Sequence, residues 1–358
     1  MERKFNFNPG PATLPLEVLV ELQKNVVDFN SIGMSVLEIS HRSKGFQELL
    51  NTTKLLLREL MVISEDYEIL FLGGGASLQF AMIPMNIGGK ADYIITGAWS
   101  KKALKEAKII GNPVVIATTE EEKFRRIPKP EEIKFSRDAT YVHLTSNNTI
   151  FGTQWSTFPE TSPIPLVADM SSDILSRKVA VGKFGLIYAG AQKNLGPAGV
   201  TVVIIRKDLA ERCPETVPTM LRYKTHMEEN SLYNTPPVFA IYVVKLVLEW
   251  VKRKGGVEGI EKINRKKGGL LYQAIDESSG FYRSTVDADS RSLMNVTFRL
   301  PDEDLEQRFI QEATALGLHG LKGHRSVGGV RASIYNAFPM EGVERLVGFM
   351  KEFAKANR

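Results

Sequence analysis

The stretch YAGAQKNLGPAGVTVVIIRKD, which begins at Tyr188, sets Lys193 between two apolar runs, Phe184 to Ala189 and Val200 to Ile205. A lysine held between buried strands loses hydration, which disfavours the ammonium ion unless an acid or a covalent bond neutralises it. Three chemistries are open to it. It can snorkel to water as an ordinary loop lysine, its amine can be consumed by an aldehyde cofactor as a Schiff base, or it can bind a phosphate. Elsewhere GGGASLQF places three glycines ahead of Ala76 and Ser77, so backbone N–H groups can approach an anion at the positive end of a helix; a tight structural turn is the alternative. The loop fits neither the Walker pattern nor G-x-G-x-x-G, which removes support for a nucleotide. Trp99 offers a flat face to a heteroaromatic ring, or plain packing. Asp169 closes the apolar run IPLVAD, where burial raises its pKa unless a cation compensates; its alternative task is to cap a helix over MSSDIL.

A phosphate cup, a stacking ring, a buried carboxylate able to face a pyridinium nitrogen and a lysine beyond it have one economical explanation in common. They fit pyridoxal 5′-phosphate.

Such groups need a scaffold that gathers distant residues. From about residue 66 to 206, seven short runs rich in β-branched residues (EILFL, YIIT, PVVIAT, TYVHLT, IPLVAD, FGLIYA and VTVVII) alternate with amphipathic or polar segments. That rhythm predicts an α/β protein with a seven-stranded, mostly parallel sheet covered on both faces. Ligands in such sheets bind beyond the carboxyl ends of the strands, where this chain has GGGASLQF, GAW, SNNT, Asp169 and GAQKN. Past Pro236-Pro237 the sequence predicts a helix ended by Gly255-Gly256, another over about 257–277, strand-like LMNVTFRL, a helix over about 302–316, strand-like VRASIYNA and a last helix near 341–355. The expected division is a large domain, 16–257, and a smaller α+β domain, 1–15 plus 258–358.

Composition sets bounds. The 358 residues are 43% hydrophobic and 24% charged, enough for a large core, and the formal net charge of +5 is spread among mixed-sign segments such as EEEKFRRIPKPEEIKFSRD rather than along a nucleic-acid stripe. The single cysteine, Cys213, excludes an intramolecular disulfide framework and a multi-cysteine metal site, and it suits a reducing cytosol. No metal is expected. The N-terminal residues carry no apolar signal core, so a cytoplasmic location is expected. The uncharged run Ile69 to Gly89 is long enough to cross a membrane, but its glycines, Gln79, Pro84 and Asn86 predict a buried strand, turn and helix instead.

Nine motifs in order, FNPGPATLP, SHRSKGF, GGGASLQF, TGAWSKKA, SNNTIFGTQW, ADMSSDILSR, AQKNLGPAG, YNTPPVFAIY and GHRSVGGVRASIYNA, resemble those of the phosphoserine aminotransferase family, in the class V branch of the fold-type I pyridoxal-phosphate enzymes. The likeness runs from residue 5 to about 338. It implies that Lys193 carries the cofactor, Asp169 pairs with the ring nitrogen, Trp99 stacks on the ring and Thr149 lies near the phenolate oxygen. Ala76, Ser77 and Gln192 would bind the phosphate, joined by Asn234 and Thr235 from the neighbouring subunit of a homodimer. Arg42, His324, Arg325 and Arg331 would bind the substrate, and arginine's bidentate fork suits a dicarboxylate or a phospho-acid. Some members of the family carry an arginine where this chain has Ser77-Leu78, which puts the details of phosphate recognition in question.

The implied activity is reversible amino-group transfer between L-glutamate and 3-phosphohydroxypyruvate, giving O-phospho-L-serine and 2-oxoglutarate in serine biosynthesis. The sequence leaves open a second substrate, 4-phosphohydroxythreonine, in pyridoxine biosynthesis. Among rivals, a cysteine desulfurase needs a mobile nucleophilic cysteine, and Cys213 precedes Pro214 just past the last sheet strand. Class V aminotransferases of alanine, serine or glyoxylate leave Arg42, His324 and Arg325 unexplained. A nucleotide-binding regulatory module lacks its phosphate loop.

Overall fold

The computed structural model describes residues 3–357; positions 1–2 and 358, at the ends of the expected small domain, lie outside the described residues. All seven apolar runs form strands: β1 (Tyr67–Leu72), β2 (Lys90–Ile95), β3 (Asn112–Thr118), β4 (Val142–Thr145), β5 (Leu166–Asp169), β6 (Phe184–Gly190) and β7 (Thr201–Arg206). They make one sheet in the order β1-β7-β6-β5-β4-β2-β3. Strands β2 to β6 pair in parallel, while β7 runs antiparallel to both of its neighbours. Six carboxyl ends therefore open on one edge.

Two packed faces explain why the runs read as nearly continuous apolar sequence: every residue of β5 and β6 is buried. The strand period of two divides them between the two faces of the sheet. Ile69, Phe71, Val202 and Ile204 pack with α2 (Lys44–Met61) and α5 (Val238–Arg253), beside α1 (Leu16–Val27). Leu70, Leu72, Val203 and Ile205 pack with α3 (Gly75–Ile87) and α4 (Ala98–Ile110). The uncharged run from Ile69 is β1, a glycine turn and α3, and no helix among the described residues is long and apolar enough to cross a membrane.

Gly255 and Gly256, at φ 91° and 67°, separate α5 from α6 (Gly256–Asp276). A second core follows, in which the antiparallel strands β8 (Arg283–Ser284), β9 (Asn295–Arg299) and β10 (Val330–Ser333) pack with α6, α7 (Glu303–Ala315) and α8 (Met340–Ala356). Phe298 and Phe309 meet edge to face at 5.9 Å, and Phe309 meets Phe353 at 5.2 Å. The N-terminal segment joins this core through Phe5–Asn6, which pairs in parallel with Leu318–His319.

One polar pin ties the second core to the sheet's edge. Lys267 of α6 is fully buried, and its Nζ donates to the carbonyls of Ile334 (2.9 Å), Tyr335 (2.6 Å) and Phe338 (3.1 Å). Burial alone pushes its pKa down to about 7, whereas the ring of carbonyl oxygens favours the charged form. One helical turn earlier Asn264 donates to Asn336 Oδ1, and the Asn336 N–H donates to Asn194 Oδ1. The residue after Lys193 is thereby fixed from α6.

Candidate active site

The turn after β6 carries Gln192 and Lys193, closed by Ala191 N–H donating to the Val200 carbonyl at 3.0 Å. The N-terminal chain crosses over it. Ala12 N–H donates to the Gln192 carbonyl at 2.8 Å, and at Gly10 (φ 143°) a Cβ would lie 3.4 Å from Lys193 Cγ. Glycine suits that φ, and the chain there passes in van der Waals reach of the lysine stem. Lys193 is half-buried, and its Nζ donates to Thr149 Oγ1 at 2.7 Å. Burial pushes the ammonium down to about 8; the Asp169 carboxylate opposes the fall, Arg331 adds to it, and Asp173 opposes it.

Asp169, at the end of β5, is buried, and its Oδ1 accepts from the Ser171 N–H at 2.9 Å. The residues behind it form a turn rather than the helix MSSDIL suggests, so the capping task exists but occupies one carboxylate oxygen on a turn. Burial raises the Asp169 pKa, against the hydrogen bonds from Ser171 and the charge of Lys193. A buried acid in this condition has capacity to hold a cationic ring nitrogen.

Trp99 lies in the first turn of α4, a few residues past the end of β2 rather than at the strand end itself. Its ring centroid is 5.8 Å from Lys193 Nζ, and its Nε1 is buried without a partner. Helix α3 begins at Gly75 behind a left-handed Gly74 (φ 82°) with no side-chain cap. Its first N–H groups, around Ala76 and the exposed Ser77, are left for an anion. Gln192 sits beside the turn of β6, its Oε1 2.8 Å from where a Gly190 Cβ would be. Asn234 and Thr235 are exposed and line a cavity of about 450 Å³ with Gly73, Gly74 and Gly199.

Arg331, on β10, reaches the same place from the second core. It is buried, its Nη1 donates to the Thr149 carbonyl at 3.3 Å, and its Nε has no partner. Thr149 thus joins Lys193 to Arg331. His324 bonds Ser326 Oγ through Nδ1 at 2.7 Å; burial lowers its pKa, helped by the charges of Arg331, Arg325 and Lys102. Arg325 is exposed beside it. Arg42 stands apart, exposed on the turn before α2, and no hydrogen bond or ion pair joins it to the Lys193 cluster among the described residues.

Sequence reasoning missed two neighbours. Asp173 is a second buried carboxylate, accepting from Gln154 Nε2 at 3.0 Å and from the Ser146 hydroxyl; its place inside SSDIL was a usable signal. Lys102 lies with Nζ 4.4 Å from the Trp99 ring centroid, and its i+3 spacing from Trp99 on α4 was legible. Cys213, by contrast, is a half-buried thiol near the Pro214 carbonyl whose pKa burial raises, the reverse of what a nucleophile needs.

The amine of depressed pKa, the buried acid, the indole face with an unpartnered N–H and the uncapped helix start fit an aldehyde-bearing pyridine with a phosphate arm. The fold and these residues define a class of pyridoxal-phosphate-type transferase, and residues 4–346 match the family described as aminotransferase class-V, to which the chain belongs. Within it, similar proteins include phosphoserine aminotransferases. That of Lysinibacillus sphaericus is 56% identical over 360 residues, covering 100% of this chain and 99% of its own. The solved phosphoserine aminotransferase from Bacillus circulans subsp. alkalophilus is 54% identical with a TM-score of 0.98, covering 100% of both chains. A pyridoxal-phosphate-bound phosphoserine aminotransferase from Trichomonas vaginalis is 40% identical with a TM-score of 0.93, covering 98% of this chain and 100% of its own.

Proposed function

We propose that the protein is a phosphoserine aminotransferase, transferring the amino group reversibly between L-glutamate and 3-phosphohydroxypyruvate to give O-phospho-L-serine and 2-oxoglutarate in serine biosynthesis. The observation that carries the reading is the pairing of Lys193, bonded to Thr149, with Arg331, bonded to the same threonine. That shared partner supports a working amine at Lys193 and a substrate-carboxylate seat at Arg331.

Pyridoxal 5′-phosphate, when bound, supplies an aldehyde that takes the amino group and an electron sink for the charge left on Cα. Lys193 then has two tasks, to hold the cofactor between turnovers and, once released, to take and return the Cα proton at its Nζ. A pKa near 8 keeps a useful fraction of its amine neutral at physiological pH. Thr149 orients that Nζ. Asp169 would keep the ring nitrogen protonated, and Trp99 would offer its indole face to the ring. The start of α3 with Ala76 and Ser77, and Gln192, hold the phosphate. Arg331 takes the α-carboxylate, while Arg42, His324 and Arg325 take the distal anion.

The same proposal includes a homodimer in which Asn234 and Thr235 complete the partner's phosphate seat. Exposed Ile32, Met34 and Leu37 precede Arg42, and exposed Tyr233 precedes Asn234, which supports an interface around both. It also includes the division into domains 16–257 and 1–15 plus 258–358, and a cytoplasmic location. Single-turnover bleaching of the aldehyde form tests the activity: O-phosphoserine should react far faster than serine, alanine or cysteine, and equal rates would sink the reading. Mixed dimers test the sharing. Lys193→Ala chains combined with Asn234→Ala/Thr235→Ala chains regain activity if each seat draws on both subunits, and stay dead if it does not.

A further inference from the structure

We propose that Lys102 is a substrate-reading residue whose ammonium joins His324 and Arg325 in receiving the phosphoryl group; the proposal rests on the phosphoserine reading above. The geometry begins at Trp99. Lys102, an exposed side chain, holds its Nζ 4.4 Å from that ring, and the same ring lies 5.8 Å from Lys193 Nζ, so both amines meet the one indole. The Lys102 charge also adds, after burial, Arg331 and Arg325, to what lowers the His324 pKa.

The charge pattern is the second observation. Lys101, next in sequence, pairs with Glu120 Oε1 at 2.5 Å, but no carboxylate pairs with Lys102, Arg325 or Arg331 among the described residues. The Arg331 Nε is buried with no hydrogen-bond partner among the described residues. Like charges gathered without an acid repel one another, and the gathering becomes favourable when an anion arrives. A phosphoryl dianion, with three terminal oxygens, can use more cations than a carboxylate can, and lysine serves it as a mobile point charge. The competing role is a purely mechanical one, in which Lys102 only props the indole by a cation–π contact.

Holoenzyme variants separate the two roles. Lys102→Met keeps an unbranched apolar stem over Trp99 and removes the charge; Lys102→Arg restores it. For Lys102→Met the expected result is a loss of about 10- to 100-fold in kcat/KM for O-phosphoserine, mostly in KM, with a smaller loss for alanine. Inhibition by inorganic phosphate should weaken in parallel, the His324 imidazole pKa followed by NMR should rise, and Lys102→Arg should recover most of the loss. Equal losses for O-phosphoserine and alanine, or an altered cofactor absorbance with unchanged phosphoserine KM, would overturn the inference in favour of the mechanical role. A wild-type enzyme with no preference for O-phosphoserine over alanine would overturn the function itself, and a wild-type preference that survives intact in Lys102→Met would overturn only the role of Lys102.

Discussion

The three consecutive glycines that open α3 should respond to alanine very differently, because each meets a different obstacle. At Gly73 an added Cβ has nothing within 4 Å and the backbone is not left-handed, so Gly73→Ala should change apo-protein stability by no more than about 0.5 kcal/mol. Gly75 has equal space but φ 66°, so Gly75→Ala should cost about 1 kcal/mol. Gly74 combines φ 82° with a Cβ that would lie 2.5 Å from Leu78 Cδ2 and 2.7 Å from Leu78 Cβ. Overpacking adds roughly 1 to 3 kcal/mol to the conformational term, for a total of about 2 to 4 kcal/mol. The strain falls on the first turn of the helix, because Leu78 N–H donates to the Gly74 carbonyl. Urea denaturation of the apo-proteins should rank the losses Gly73, Gly75, Gly74, smallest first, and cofactor titration should show Gly74→Ala binding pyridoxal 5′-phosphate more weakly than wild type. A Gly74→Ala protein as stable as Gly73→Ala would refute the packing argument. One that is destabilised but keeps full cofactor affinity would refute the helix start as the phosphate seat.

Replacing Asp169 by Ala should weaken cofactor binding and lower turnover by at least about 100-fold, since a neutral pyridine is a poor electron sink; near-normal turnover would return Asp169 to turn capping alone. With Lys193 at about 8 instead of 10.5, the reaction of the apo-protein with the aldehyde cofactor should rise with pH through about 8 and then level, and Asp169→Asn should move that midpoint lower by removing the anion that favours the ammonium. The sign for stability is the same: between about 8 and 10.5 the unfolded chain binds more protons at Lys193 than the folded one, so this residue's contribution to apo-protein stability grows with pH, and Lys193→Met should remove that part of the slope. Lys267→Met should cost about 3 kcal/mol in urea denaturation by leaving buried carbonyls without a donor, and a loss below about 1 kcal/mol would mean that water replaces it.

The seven sheet strands were legible because apolar runs in a doubly covered sheet are nearly unbroken, and Lys193 and Asp169 stood out as charges at the ends of such runs. The turn behind Asp169 was not, since MSSDIL has helical spacing, while Asp169 and Ser171 are tied by bonds from the distant Ser146 hydroxyl and Gly190 N–H. Lys267 sits in the amphipathic pattern of α6 like any surface lysine, and its ring of carbonyls comes from residues about 70 positions away. The tripeptide HRS, which occurs at His41 and again at His324, shows how little a short match settles. Ser43 caps α2 by accepting from the Phe46 N–H, whereas Ser326 bonds the ring of His324. Arg42 is the residue for which motif and geometry part furthest, since it is exposed on the turn before α2 and no hydrogen bond or ion pair joins it to the Lys193 cluster among the described residues.

Borohydride reduction of the purified holoenzyme, followed by peptide mapping, tests the central claim most directly. The reduced cofactor should be found on the peptide containing Lys193 and on no other, with Lys193→Ala taking up none. A label on a different lysine, or stable labelling of Lys193→Ala, would contradict the assignment of this turn as the catalytic centre.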